Sequence, residues 1–224
     1  IGFTAAQSLW NGQFNRSIST YNRFSLNTNH NLNTGFDYSC LYRNLGFFGE
    51  VARSESGGMA YLNGILAGLS QDVSVSVLHR NYQRNYQSVY SNGFSESSTI
   101  SNEKGLFFGL NARITSTTTF SGYIDKFEFP WLKYLVNAPS QGVDYLAQVS
   151  YKPNKKMELY VRYRQKLKQA NTKETNTMIA FIDNTQKESI RFNSSYKVSE
   201  MITLRNRVEF LKYKNGEQKP ELGY

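Results

Sequence analysis

Apolar and polar residues alternate along much of this chain, and the alternation is clearest from Val143 to Lys166. In VDYLAQVSYK the odd-numbered positions are apolar, whereas all the even-numbered positions except Leu146 are polar. After a turn at residues 153–156, the same alternation resumes in MELYVRYRQK. A period of two is the spacing that a β-strand imposes on its two faces. The segment is therefore predicted to be an antiparallel hairpin with one apolar and one charged face.

Similar patterns predict further strands, which together with the hairpin number about ten to eleven. They cover residues 16–27, 36–43, 45–52, 59–69, 73–80, 106–114, 118–126, 190–198 and 202–210. Residues 54–58, rich in serine and glycine, are predicted to form a loop, and residues 214–224 another. Residues 1–14 show no period and receive no element. We therefore predict an all-β, antiparallel chain in which residues 1–224 form a single domain.

The predicted connections alternate between short and long. The short ones are 70–72, 115–117, 153–156 and 199–200, and the long ones are 81–104, 127–142 and 168–187. Up-and-down barrels of the outer membrane have short periplasmic turns and long extracellular loops, whereas a soluble sandwich has no reason to sort its loops in this way. The pattern thus predicts a transmembrane β-barrel in the outer membrane of a Gram-negative bacterium. Since bacterial single-chain barrels close with an even number of strands, we expect a fragment of a larger barrel.

Composition agrees with a membrane setting. Sixteen tyrosines and fifteen phenylalanines suit the aromatic girdles of membrane barrels, because a tyrosine ring is apolar and its tip is polar. No run of 18 apolar residues predicts a transmembrane helix. The single cysteine, Cys40, excludes an intrachain disulfide, and its alternation with aromatic residues predicts a small buried apolar group.

The formal net charge of +9 is concentrated in part on the predicted inward face of the barrel. The basic residues assigned to this face are Arg80, Arg113, Lys152, Arg162, Arg164, Arg191, Lys197, Arg205 and Arg207. Rings of arginine and lysine in a pore favour anions. Carboxylates are assigned to the same face, namely Asp125, Asp144, Glu158 and Glu209. Two interpretations therefore stay open: a cationic lumen for anionic solutes, or charges that pair across strands and fill the barrel.

Five aromatic residues of the predicted long loops are candidates for an extracellular binding surface. They are Tyr82, Tyr86, Tyr90, Trp131 and Tyr134. The favoured alternative is an aromatic rim, or loops that pack into the mouth of the barrel.

Catalysis is not predicted. A serine hydrolase needs a serine, a histidine and an orienting carboxylate or carboxamide, and only His30 and His79 are available. His79 lies on a predicted outward face, and a lipid hydrolase centred on it is the lesser alternative. No cluster has metal-ligand spacing and no glycine-rich phosphate loop is present, so no metal and no cofactor is predicted.

A group of segments in the first two thirds of the chain forms a further pattern: YRNLGFFGEVA at 42–52, RNY at 80–82, YQSVY at 86–90, NEKG at 102–105, FPWLKY at 129–134, APS at 138–140 and DY at 144–145. These segments resemble the barrel region of large Bacteroidota outer-membrane proteins that carry a helix-hairpin-helix segment and are often labelled as DNA-binding or competence-like. The resemblance covers about residues 36–166. It implies a barrel in the lipid bilayer of the outer membrane. Because no helix-hairpin-helix glycine hairpin occurs in these residues, nucleic-acid binding would require an upstream domain.

The functional prediction is an outer-membrane pore, or a transport or secretion component, whose basic lumen favours anionic solutes. The first alternative is a membrane anchor for an upstream DNA-handling domain.

Overall fold

The computed structural model describes residues 1–12, 14, 17–171, 181–216 and 220–223. These residues form one sheet of twelve strands and no helix. The strands are β1 (Gly2–Leu9), β2 (His30–Tyr42), β3 (Leu45–Ser54), β4 (Met59–Gly68), β5 (Val73–Tyr82), β6 (Glu103–Arg113), β7 (Thr118–Phe129), β8 (Ser140–Asn154), β9 (Met157–Asn171), β10 (Ile182–Lys197), β11 (Thr203–Asn215) and β12 (Glu221–Gly223). Each pairs antiparallel with its sequence neighbours, so the all-β up-and-down prediction is confirmed. Neither β1 nor β12 has a second partner among the described residues, and the sheet is not closed.

The hairpin of β8 and β9 keeps the register that the sequence pattern requires. Val149 lies opposite Val161, and the adjacent position Gln148 lies opposite Arg162. A register shift between Tyr151 and Asn154 accommodates the short turn before β9. Apolar residues therefore face apolar residues across the hairpin, and polar residues face polar ones.

Two expectations for the N-terminal region are wrong. The sequence pattern predicts no element in residues 1–14, yet Gly2–Leu9 form β1, and all of β1 pairs with β2. The described part of the predicted strand 16–27 contains no strand. Asn22 explains this, because its side chain accepts a hydrogen bond from the Ser19 amide at 2.6 Å and donates one to the Ser17 carbonyl at 3.0 Å. Such local side-chain bonds favour a turn over a strand.

Near the long connections the strands extend further than the apolar pattern predicts. The connections are 83–102 in place of 81–104, 130–139 in place of 127–142 and 172–181 in place of 168–187, and residues 172–180 lie outside the described part of the chain. The predicted terminal loop 214–224 includes the end of β11 and the short strand β12. Most of these strand ends carry polar residues on both faces, and at the end of β7 the apolar residues Phe127 and Phe129 fall on the polar face, so the predicted apolar face does not continue.

The two faces of the sheet differ sharply, as one row of cross-strand neighbours shows. Val149, Val161, Phe192 and Val208 lie side by side on β8 to β11, and each is about half exposed, at 45, 46, 47 and 52%. The adjacent row on the opposite face is Gln148, Arg162, Arg191 and Glu209. We call these the apolar face and the polar face. Described protein segments leave the apolar face uncovered, unlike the inner face of a soluble sandwich.

Two further observations follow from this arrangement. Cys40 is exposed on the apolar face, which corrects the expectation of a buried thiol, since no protein layer covers that face within the described chain. The most deeply buried side chains, Arg80, Glu103 and Phe127, lie on the polar face toward the long connections.

The described residues include no helix that is long and apolar enough to cross a membrane.

Candidate functional site on the polar face

All nine cations of the predicted inward face lie on the polar face. They are Arg80, Arg113, Lys152, Arg162, Arg164, Arg191, Lys197, Arg205 and Arg207, and their register partners include Gly105, Thr119, Gln148, Leu146 and Asn193. Strand alternation alone places them together, because residues two apart in a strand share a face.

Arg80 lies between two carboxylates, as described below, and five of the other eight cations have a carboxylate partner within 4 Å. The pairs are Arg113–Asp72 at 3.5 Å, Lys152–Glu158 at 3.0 Å, Arg164–Asp144 at 2.5 Å, Arg191–Glu209 at 2.8 Å and Lys197–Glu200 at 3.9 Å. Asp144 is buried, but in the other four pairs both side chains are at least partly exposed, and each of these four contributes at most about 1 kcal/mol to stability. Cross-strand pairing thus accounts for much of the charge on this face.

Three arginines form what we call the open cationic strip: Arg162 on β9, and Arg205 and Arg207 on β11. The Arg162 Nε donates a 2.8 Å hydrogen bond to the Gln148 amide oxygen. None of the three has a carboxylate within 4 Å among the described residues. Their charge is therefore available to an anion from solution.

A buried ion-pair triad lies nearer the long connections. The fully buried Arg80 guanidinium donates to a Glu103 carboxylate oxygen at 2.7 Å through Nε, and to the Asp125 carboxylate at 2.7 and 3.1 Å through its two terminal nitrogens. Gly105 lies directly opposite Arg80 on β6, where a Cβ would come within 2.3 Å of the guanidinium carbon. Absence of a side chain at this position leaves room for the guanidinium.

Residues 83–102, which we call the inserted loop, fold onto the polar face beside this triad. The Glu96 and Ser97 amides donate to the Glu103 carboxylate at 2.8 and 3.0 Å. The Glu96 carboxylate in turn accepts hydrogen bonds from Lys166 and Lys168 of β9 at 2.6 and 2.5 Å. Burial by itself would raise the pKa of Glu96, but the two lysines outweigh it and hold the pKa below its usual value. The loop is thus held by charge on strands β6 and β9.

The predicted loop aromatics do not share one environment. Tyr82 and Tyr86 are buried, Trp131 is half-buried, and Tyr90 and Tyr134 are exposed. The Tyr82 hydroxyl donates to the Phe94 carbonyl at 2.9 Å, which attaches the inserted loop to the end of β5. The five residues therefore divide between loop packing and the loop surface.

A cavity of about 710 Å³ lies among the long connections. Trp131 and Asn102 hold two of its walls together through reciprocal hydrogen bonds of 2.7 and 3.0 Å. The Arg84 guanidinium packs against the rings of Phe24 and Trp131, at 4.7 and 4.8 Å from their centres. Lys133 lies 3.4 Å from the centre of the Phe129 ring. The cavity wall thus combines cations with aromatic rings.

The sequence pattern did not identify Arg84, Glu96 or Lys133. All three lie in connections with no period, and their partners are distant in the chain: Lys166 and Lys168 are 70 and 72 residues from Glu96. The only local signal was aromatic enrichment in these connections, which does not single out a cation.

The described residues do not form the other two kinds of site considered from the sequence, a hydrolase site at His79 and a metal site. His79 is exposed on the apolar face between Asn63 and Leu106, and no described side chain accepts or donates a hydrogen bond to its ring. No group of three His, Cys, Asp or Glu within the described ranges could hold a metal ion.

No protein-family model, curated protein or solved structure matches the chain.

Proposed function

We propose that this chain forms part of the wall of an outer-membrane β-barrel, with the apolar face toward lipid and the polar face toward water. The observation that carries the proposal is the uncovered apolar face, on which Val149, Val161, Phe192 and Val208 continue one apolar row over four strands. Contact with lipid would remove this surface from water, which lowers the free energy by about 25 cal/mol for each Å² of apolar surface buried.

The transport role rests on the open cationic strip. Six of the nine predicted inward-facing cations are paired with carboxylates, so Arg162, Arg205 and Arg207 are the residues we expect to attract a passing anion. The inserted loop and the buried triad occupy the polar face toward the long connections, so we expect passage to depend on the position of this loop.

Membrane location is tested with spin labels at Val161 and Arg162, adjacent residues on opposite faces, in a Cys40→Ser background in bilayers. We expect the label at position 161 to collide with oxygen and the label at position 162 with a polar quencher. Two labels that both respond as aqueous sites would contradict the proposal.

Anion passage is tested by the reversal potential of the reconstituted protein in a salt gradient across a planar bilayer. Neutralising Arg205 and Arg207 with glutamine should reduce selectivity for chloride over potassium. Lys212→Gln is the matched control, because Lys212 lies on β11 but on the apolar face. Absence of conductance under all conditions, or equal effects of the two variants, would contradict the transport role.

A further inference from the structure

The cavity among the long connections contains two cations without a carboxylate partner. Arg84 and Lys133 both line it, and neither has a carboxylate oxygen within 4 Å among the described residues. Glu96 also lines the cavity, but its carboxylate is already bound by Lys166 and Lys168. The cavity therefore carries positive charge that the described part of the chain does not neutralise.

Lys133 is held in place. Its Nζ donates a 2.6 Å hydrogen bond to the Ser97 hydroxyl, and its backbone pairs with Val136 through bonds of 3.1 and 3.0 Å. An ammonium withdrawn from water is destabilised unless an opposite charge accompanies it. Burial, reinforced by the charge of Lys168, lowers the pKa of Lys133 to about 8. An anion in the cavity would supply the missing charge.

The rest of the cavity wall is suited to contact with an aromatic ring of a ligand. Tyr21, Phe24, Trp131 and Tyr134 line the cavity together with serine, asparagine and glutamine side chains. A volume of about 710 Å³ lies within the range of pockets for small organic ligands. Hydrogen bonds from Trp131 to Asn102 and to the Thr20 carbonyl fix this wall before any ligand arrives. The wall can therefore accept a flat apolar group without reordering.

We propose that this cavity binds a small organic anion that carries a ring, with Lys133 and Arg84 as its cationic contacts and the aromatic wall as the surface for the ring. Such a ligand would gain charge-assisted hydrogen bonds as well as apolar contact. This inference does not depend on the membrane location, because the side chains it uses lie in or beside the long connections and none is on the apolar face.

Binding can be measured by the fluorescence of Trp131. The chain has two tryptophans, so a Trp10→Phe background leaves Trp131 as the only one. Benzoate and phenyl phosphate are the anionic probes, and benzyl alcohol is the neutral probe of similar shape. We expect a saturable change in fluorescence with both anions, and binding of benzyl alcohol that is at least about tenfold weaker.

Substitutions at Lys133 and Arg84 test whether these side chains contact the bound anion. Lys133→Gln and Arg84→Gln should each weaken benzoate binding about tenfold, whereas Lys155→Gln, an equal change of charge in the β8–β9 turn, should leave it unchanged. If Lys133→Gln does not fold, the binding measurement is made on Lys133→Arg and on Arg84→Gln, because Arg84 is exposed. Equal affinity for benzoate and benzyl alcohol, or unchanged benzoate binding in Arg84→Gln and Lys133→Gln, would overturn the proposal.

The pH dependence provides a second readout. Lys168 and Lys166 on β9, Glu96 in the inserted loop and Glu103 on β6 are the charged groups that act on Lys133. Because the ammonium form binds the anion, benzoate affinity should be constant near neutral pH and fall as the pH rises above about 8. Arginine at position 133 stays charged in this range, so Lys133→Arg should lose the decline. A decline of the same size in both proteins would contradict a role for the lysine.

Discussion

Arg80 shows how a single charged residue is accommodated in the buried part of the polar face. Its side chain is fully buried, with the Glu103 and Asp125 carboxylates as its partners. Removing one member of a buried ion pair leaves the remaining charge unpaired, which typically costs about 3–5 kcal/mol. Gly105 is the second requirement, because any side chain there would displace the guanidinium.

Replacing Arg80 with glutamine should lower the free energy of unfolding by about 3–5 kcal/mol, since two carboxylates would then be buried without their cation. Urea unfolding in detergent micelles measures the change. Arg205→Gln is the control and should change stability by less than about 0.5 kcal/mol, because Arg205 is exposed and has no carboxylate within 4 Å in the described chain. Equal stabilities of the two variants would contradict the importance of the triad.

Gly105→Ala should lower stability by about 1–3 kcal/mol, because the new methyl group overlaps the Arg80 guanidinium. Gly46→Ala is the matched strand control, since a Cβ at Gly46 meets its nearest neighbours at an ordinary 3.9 Å. The same urea titration compares them. A Gly105→Ala protein as stable as Gly46→Ala would show that Arg80 can move without cost.

Among the elements, the inserted loop is the one whose position depends on charge. It is anchored by Glu96 on Lys166 and Lys168, by its amides on Glu103, and by packing of Phe94 against Phe107. The lowered pKa of Glu96 means that the ionised carboxylate stabilises the docked loop. That contribution is complete above the ordinary glutamate pKa of about 4.3 and is lost as the pH falls through the lowered value.

Glu96→Gln should therefore increase hydrogen exchange in the inserted loop at neutral pH, because the two lysine contacts lose their negative partner. Mass spectrometry of exchange in residues 83–102 measures the effect. Glu200→Gln, in the exposed β10–β11 turn, is the control and should leave exchange in this loop unchanged. Acid should reproduce the effect in the parent protein but add little in Glu96→Gln. An inserted loop that is equally protected in both variants would contradict the anchor.

At the scale of the whole molecule, the exposed apolar face is the dominant feature. It extends over the β8–β11 row and recurs on earlier strands, where Phe36, Ile65, Val77 and Phe108 are exposed on the same face. A large exposed apolar surface is unusual on a soluble monomer and marks contact with lipid or another protein. The opposite face carries most of the ion pairs and the inserted loop.

A charge on the apolar face should thus destabilise the protein in a bilayer. Val161→Arg is expected to cost about 2–4 kcal/mol if position 161 lies near the bilayer centre. Ser150→Arg is the control on the polar face, beside Tyr160 and Thr119, and should cost less than about 1 kcal/mol. Reversible unfolding from lipid vesicles compares them. Equal costs would contradict opposite environments for the two faces.

The alternation of residues determined the strand class, the hairpin of β8 and β9, and the face on which each predicted inward-facing cation lies. These features follow from local geometry, because a period of two assigns a face before any partner strand is known. The same argument failed at β1 and at the strand ends. Those segments are strands because their backbones hydrogen-bond to a neighbouring strand, and this pairing does not require apolar residues on one face.

Only the tertiary structure decided which charges are neutralised and which stay open. Arg80 meets Asp125 from 45 residues away, and Glu96 meets Lys168 from 72 residues away. Such contacts depend on the register of several consecutive strands and on where a loop without period folds. The sequence alone therefore determined two chemically different faces. In the folded chain, carboxylates pair with most of the predicted inward-facing cations, whereas Arg162, Arg205 and Arg207 on the polar face, and Arg84 and Lys133 at the cavity, have no carboxylate within 4 Å among the described residues.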